Sequence, residues 1–134
     1  MKPSSIFPLL LAAVVAAMLM SLRPADEVVT QAGDTTIINT TTLTRNVAGY
    51  GGQTPLKINI KGKHVVRVEA LRNQESPRFF NLVRRQLLGQ WDGLTTTKAA
   101  KKKVDAVSGA TLSSESVKEN VKVGLDYYHK HVGK

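Results

Sequence analysis

Leu56, Ile58 and Ile60 alternate with Lys57, Asn59 and Lys61, and Gly62-Lys63 separates this run from a second one, His64 to Leu71. A period of two places one set of side chains on each face of a strand, so the first run reads as a strand half-buried against a core. In the second run Val66, Val68 and Ala70 share a face. Two such runs joined by a glycine-containing turn predict an antiparallel hairpin.

Two helical segments follow. Ser76-Pro77 predicts a helix start, a serine cap followed by proline at the first helical position. Phe79, Phe80, Val83, Leu87 and Leu88 form its apolar stripe, Arg84 and Arg85 lie off it, and Gly89 is its expected stop. The threonine run and the basic run within Leu94–Lys103 predict a loop or an exposed edge. A last helix is expected to start near Ser113. Its Val117, Val121, Leu125 and Tyr128 recur at helical spacing on one face, and Lys130 and His131 near its end suit the helix dipole. The fold class is therefore α+β: a small antiparallel sheet packed with two main helices.

Ahead of this body, Met1–Pro24 starts with Lys2 and runs apolar from Ile6 to Leu22, which reads as a secretory signal or a membrane-anchoring helix. The run is at the short end of what crosses a bilayer, about 17 residues, so both readings stay open. Lys2 and the α-amino group favour an N-terminus held in the cytoplasm. The body then faces the periplasm or the outside, or is secreted if the leader is cleaved. Residues 25–45 read as a spacer leading into a strand or short helix, and residues 46–134 as a single domain, in keeping with a chain of 134 residues.

The formal net charge is +9; without Lys2 and Arg23 the remainder carries 9 − 2 = +7. Such a balance suits an anionic partner or simply keeps the chain soluble. There is no cysteine. Thiolate-bound iron–sulfur clusters, c-type haem and CxxC redox motifs are excluded, so any redox chemistry needs a non-thiol cofactor. His129-Lys130-His131 could suggest a metal, but positions two apart do not share a helical face.

The densest chemical signal is Asp105-Ala106-Val107-Ser108-Gly109-Ala110-Thr111-Leu112-Ser113-Ser114. It is a small, hydroxyl-rich turn opening into a helix. A helix start presents unpaired N–H groups and a partial positive charge, which suits a phosphate. Ser108, Thr111 and Ser113 add hydroxyls, Gly109 and Ala110 leave room, and Lys101 to Lys103 stand upstream. The same residues are equally ordinary helix caps, and the residues alone leave both readings standing.

The pattern Asp105-x-x-Ser108-Gly109-Ala110-Thr111-x-Ser113 resembles the flavinylation motif of the FMN-binding domain family, which includes the G subunit of the Rnf complex and the C subunit of the sodium-translocating NADH:quinone oxidoreductase. Gly49-Tyr50-Gly51-Gly52, Glu75-Ser76-Pro77 and Gln86-Leu87-Leu88-Gly89 resemble the family's other segments in the same order, over about Asn46 to Tyr128. Ser76 stands where the family has threonine and Arg78 where it has glycine. The resemblance implies FMN attached covalently, through its phosphate, to Thr111. It implies a flavin transferase using FAD as the donor, and extracytoplasmic or membrane redox proteins as electron partners. Ser108, Gly109, Ala110, Ser113, Tyr50, Glu75 and Ser76 are the further expected cofactor-binding residues, with Trp91 and Leu94 as other candidate ring neighbours.

The function so implied is an extracytoplasmic electron carrier, with the membrane met through the N-terminal segment and no nucleic acid as partner. Two alternatives carry weight beside it. One is a basic exported module that binds an anionic partner through Lys98 and Lys101 to Lys103. The other is a flavin-dependent reductase, for which no Gly-x-Gly-x-x-Gly nicotinamide fingerprint is present.

Overall fold

The computed structural model describes residues 27–133; the expected signal or anchor helix lies outside them. Four strands, β1 (Val29–Ala32), β2 (Thr35–Asn39), β3 (Leu56–Lys61) and β4 (His64–Ala70), form one antiparallel sheet in sequence order. Helix α1 (Pro77–Gln86), a 3₁₀ turn (Leu88–Trp91), helix α2 (Thr96–Lys101) and helix α3 (Thr111–His131) follow. The α+β class is as the periodicities predict. No helix among the described residues is long and apolar enough to cross a membrane.

The core is a seam between sheet and helices. Ile38, Leu56, Ile58, Ile60, Val65 and Val68 meet Phe80, Val83 and Leu87 from the α1 side and Val117, Val121, Leu125 and Tyr128 from α3. Burying an aliphatic side chain of this size stabilises by about 2 kcal/mol. This seam therefore contributes more than any of the turns. The inward positions of β3 and of α3 are those the sequence pattern indicates.

Strand β4 differs from its expected pattern. Ile58 pairs with Val68 but Ile60 pairs with Val65, with a register shift between Asn59 and Ile60. Val66 and Arg67 therefore occupy a stretch that β3 spans with Asn59 alone. An extra residue reverses the alternation, so Val65 and Val68 point inward and Val66 is exposed.

Several local expectations are corrected. The segment read as a spacer leading into one strand or a short helix holds two strands, and β2 pairs with β3 inside the sheet. The stretch read as a loop or exposed edge contains α2, capped by Thr95, whose Oγ1 accepts from the Lys98 N–H at 3.2 Å. Just before it, Leu94 O accepts from Val65 N at 2.8 Å and Gly93 N donates to Val65 O at 2.7 Å, which covers the outer edge of β4. Helix α1 ends at Gln86, and Gly89 lies inside the 3₁₀ turn rather than terminating the helix. Pro77 does open α1, but the Ser76 side chain makes no capping hydrogen bond.

A buried polar network locks α3 to the sheet. Asn120 Oδ1 accepts from the hydroxyls of Thr40 and Thr44, each at 2.6 Å, and its Nδ2 donates to Ser116 O at 2.9 Å. Thr40 Oγ1 accepts in turn from Leu56 N at 2.9 Å, and Thr54 and Ser116 share a hydroxyl contact at 2.5 Å. Among the described residues, no buried side-chain polar atom lacks a partner. Such a network confers specificity only when complete, as this one is.

Candidate functional site

A cleft of about 500 Å³ opens at the start of α3, lined by Tyr50, Ser76, Phe79, Gly109, Ala110, Thr111, Leu112 and Ser113. Six of these were expected from sequence. Thr111 is the first residue of α3, with its side chain exposed. The helix thus starts two residues ahead of the expected Ser113, and the first N–H groups of its opening turn have no intrahelical partner. Gly109 has φ +85°, a left-handed backbone that glycine adopts freely, and it lets the chain turn into the helix.

The wall behind the cleft is built on Glu75, which is only 6% exposed. Its Oε1 accepts from the Tyr50 N–H at 2.8 Å and from the Ser113 hydroxyl at 2.7 Å, and its Oε2 accepts from the Gly51 N–H. One carboxylate therefore ties the glycine turn to α3. The turn can approach so closely because a Cβ at Gly49 or at Gly51 would overlap the Glu75 carboxylate, and one at Gly51 the Gln74 carbonyl as well. Gly49 and Gly51 are thus a close fit around an acid. Glu75 is thus a supporting residue rather than a lining one.

Ser113 and Ser114 are also structural. Ser113 is buried on Glu75, and the Ser114 hydroxyl accepts from Val107 N at 3.0 Å while donating to Ala110 O at 2.7 Å. Thr111 is left as an exposed hydroxyl on a fixed frame. Ser108 is exposed next to the cleft-lining Gly109 but is not itself among the lining residues.

The lining also has an apolar part that local sequence does not mark. Tyr50 is 79% exposed, Leu112 59% and Phe79 45%. Large apolar side chains left in solvent on a small domain, grouped around one hollow, mark a binding surface. Helical spacing puts Phe79 in the apolar stripe of its helix; it sits at the stripe's edge and faces the cleft, while Phe80 takes the core. Leu112 gave no signal beyond an apolar residue between two hydroxyls. The candidate ring neighbours Trp91 and Leu94 do not line this cleft: Trp91 is in the core and Leu94 packs against it.

The upstream lysines also stand elsewhere. Lys102 and Lys103 line a second groove of about 410 Å³ between the α2 region and α3, and Lys102 Nζ donates to Gln90 O at 2.6 Å. Among the described residues, no charged side chain lines the cleft at Thr111. At the far end of α3, the ring Nε2 of His129 lies 3.0 Å from Thr96 Oγ1, and Tyr127 packs on His131.

The cleft therefore combines an exposed hydroxyl at a helix start with a rim of exposed apolar and aromatic side chains. It suits a ligand with an anionic end and a flat aromatic body. Comparison with known proteins agrees with that reading: the family model described as FMN-binding domain matches residues 49–126, which contain the cleft and its Glu75 support. No curated protein matches the chain, and no solved structure does.

Proposed function

The chain belongs to the FMN-binding domain family, and on that footing we propose that it is an extracytoplasmic electron carrier whose FMN is esterified through its phosphate to Thr111. The observation that carries this reading is the position of Thr111. Its hydroxyl is exposed at the first residue of α3, inside a cleft rimmed by Tyr50, Phe79 and Leu112. The Ser113 and Ser114 hydroxyls are buried in structural hydrogen bonds, which leaves Thr111 as the accessible hydroxyl of the first turn of α3.

When bound, FMN supplies the redox chemistry, while the protein supplies orientation and surroundings. In the attachment step a flavin transferase breaks the pyrophosphate of FAD. The Thr111 oxygen bonds to the flavin-side phosphorus, the hydroxyl proton is lost, and AMP leaves. The start of α3 offers N–H groups to the phosphate, and the exposed faces of Tyr50 and Phe79 offer stacking surfaces to an aromatic body. The Glu75 clamp holds both walls of the cleft in place.

Among the described residues, no carboxylate, histidine or lysine lines the cleft, so the redox chemistry there is left to the flavin. An export leader and a tethered cofactor fit together, because a covalent link removes dependence on a dilute supply of free flavin outside the cytoplasm.

The test is co-expression with a flavin transferase. The parent is expected to show in-gel fluorescence and the mass gain of one esterified FMN, and Thr111→Ala to lose both. A Thr111→Ala protein labelled as well as the parent overturns the assignment.

A further inference from the structure

The Glu75-Ser76-Pro77 segment borders two hollows. Ser76 lines the cleft at Thr111, while its chain neighbours Glu75 and Pro77 border a hollow of about 220 Å³ shared by Arg72, Arg84, Asn73 and Asn81. Both arginines are exposed, and neither forms a salt bridge among the described residues. Arg84 is held over the Phe80 ring, its guanidinium carbon 5.0 Å from the ring centre, and so is oriented in advance.

The acid in this hollow is Glu75, and its oxygens already accept from Tyr50 N, Gly51 N and the Ser113 hydroxyl. The same helix adds exposed Arg78 and Arg85, and residues 71–90 contain no other acid. The groove beside α3 contrasts with this surface. There lysines and carboxylates are nearly balanced, and Lys118 is paired with Glu115 at 3.1 Å.

The geometry points to a docking site for a redox protein with an acidic surface: its carboxylates seat on Arg72 and Arg84 while its own cofactor faces the apolar rim of Tyr50, Phe79 and Leu112. Arginine suits this role because its planar fork pairs with carboxylates in bidentate fashion. An uncharged centre beside a charged rim is the pattern of a transient interface, steered by charge and quickly released. This inference rests on the electron-carrier reading above.

The test uses the full chain in neutral detergent, without flavin, titrated with a strongly acidic ferredoxin as probe and a basic cytochrome c as control. Binding of ferredoxin is expected at about 50 mM salt and is expected to be lost by about 200 mM. Arg72→Gln with Arg84→Gln is expected to weaken it about tenfold, whereas Lys118→Gln with Lys122→Gln, which removes equal charge, changes it little. Arg72→Lys with Arg84→Lys keeps both charges but loses the bidentate fork, and is expected to bind more weakly than the parent yet clearly more tightly than the glutamine pair, which separates charge loss from fold loss.

Absence of ferredoxin binding, equal loss in the two glutamine pairs, or a lysine pair as weak as the glutamine pair overturns the proposal. Binding to phosphatidylserine vesicles through Arg72 and Arg84 with no ferredoxin binding also overturns it and assigns the hollow to lipid headgroups. Because no flavin is used, failure here is separate from failure of Thr111 labelling.

Discussion

The Ser113 hydroxyl donates to the Glu75 carboxylate at 2.7 Å, joining two residues 38 apart in sequence and closing the back of the Thr111 cleft. Both partners are buried, so removing either leaves polar groups without partners. Ser113→Ala is expected to cost about 1–2 kcal/mol, and Glu75→Ala, which strands two backbone N–H donors as well, about 2–4 kcal/mol. Urea unfolding of the flavin-free protein measures both. Glu75→Ala is also expected to slow Thr111 labelling, since the glycine turn is then released from α3.

Gly51 and Gly49 face the same carboxylate from the other side. Alanine at either position brings a Cβ into the Glu75 side chain, and at Gly51 into the Gln74 backbone carbonyl too. Gly51→Ala is expected to destabilise by about 1–3 kcal/mol and to cost more than Gly49→Ala, because a backbone carbonyl yields less readily than a side chain. Thermal melts of the two variants give the order; the reverse order counts against the clamp as described.

Phe79 and Phe80 make an internal comparison. Phe80→Ala opens the core and is expected to cost about 3–5 kcal/mol. Phe79→Ala removes a half-exposed ring and is expected to leave stability nearly unchanged. In flavin-loaded protein, however, it is expected to change the flavin absorbance and fluorescence. Unfolding curves and spectra of the two variants separate the core role from the cleft role.

Asn120→Ala removes the acceptor of the Thr40 and Thr44 hydroxyls and is expected to cost about 2–4 kcal/mol. Hydrogen exchange is expected to speed up most in residues 40–56 and in the facing turns of α3.

One titration is open to test. Asp92 is exposed, but partial desolvation of its carboxyl pushes it up, partly offset by the Arg67 guanidinium. The folded chain therefore holds that proton to higher pH than the unfolded chain, and this contribution to stability is lost as pH rises from the ordinary carboxylate range through the raised value. Asp92→Asn is expected to raise the melting temperature slightly at about pH 7, with the gain vanishing by about pH 3.

The parts of this molecule legible in the sequence are those set by local periodicity or by a contiguous motif. Leu56, Ile58 and Ile60 announce an inward strand face, and the Ser108 to Ser113 string announces a helix start with an exposed hydroxyl. What the sequence hid depends on partners far along the chain. The bulge opposite Asn59 shifts Val65 inward, and nothing in His64–Leu71 alone reveals it. The threonines at 40 and 44 resemble spacer residues until Asn120, 80 and 76 positions later, accepts their hydrogen bonds. Adjacent Phe79 and Phe80 cannot both face the core, and helical spacing does not say which is left outside. The lysines before Asp105 are close to the hydroxyl-rich turn in sequence, but the chain's path carries Lys102 and Lys103 to another groove.

Asn120 and its threonine partners have a mechanical consequence. Apolar packing resists separation of a helix from a sheet but is forgiving of sliding and rolling. A slip of one residue would move Thr111 by about 1.5 Å along the helix and swing it by about 100° around the axis, enough to aim its hydroxyl away from the cleft. Hydrogen bonds of fixed length at Asn120 forbid that slip. They act as a keyway, setting the angle of a 21-residue rod whose tip holds the acceptor threonine.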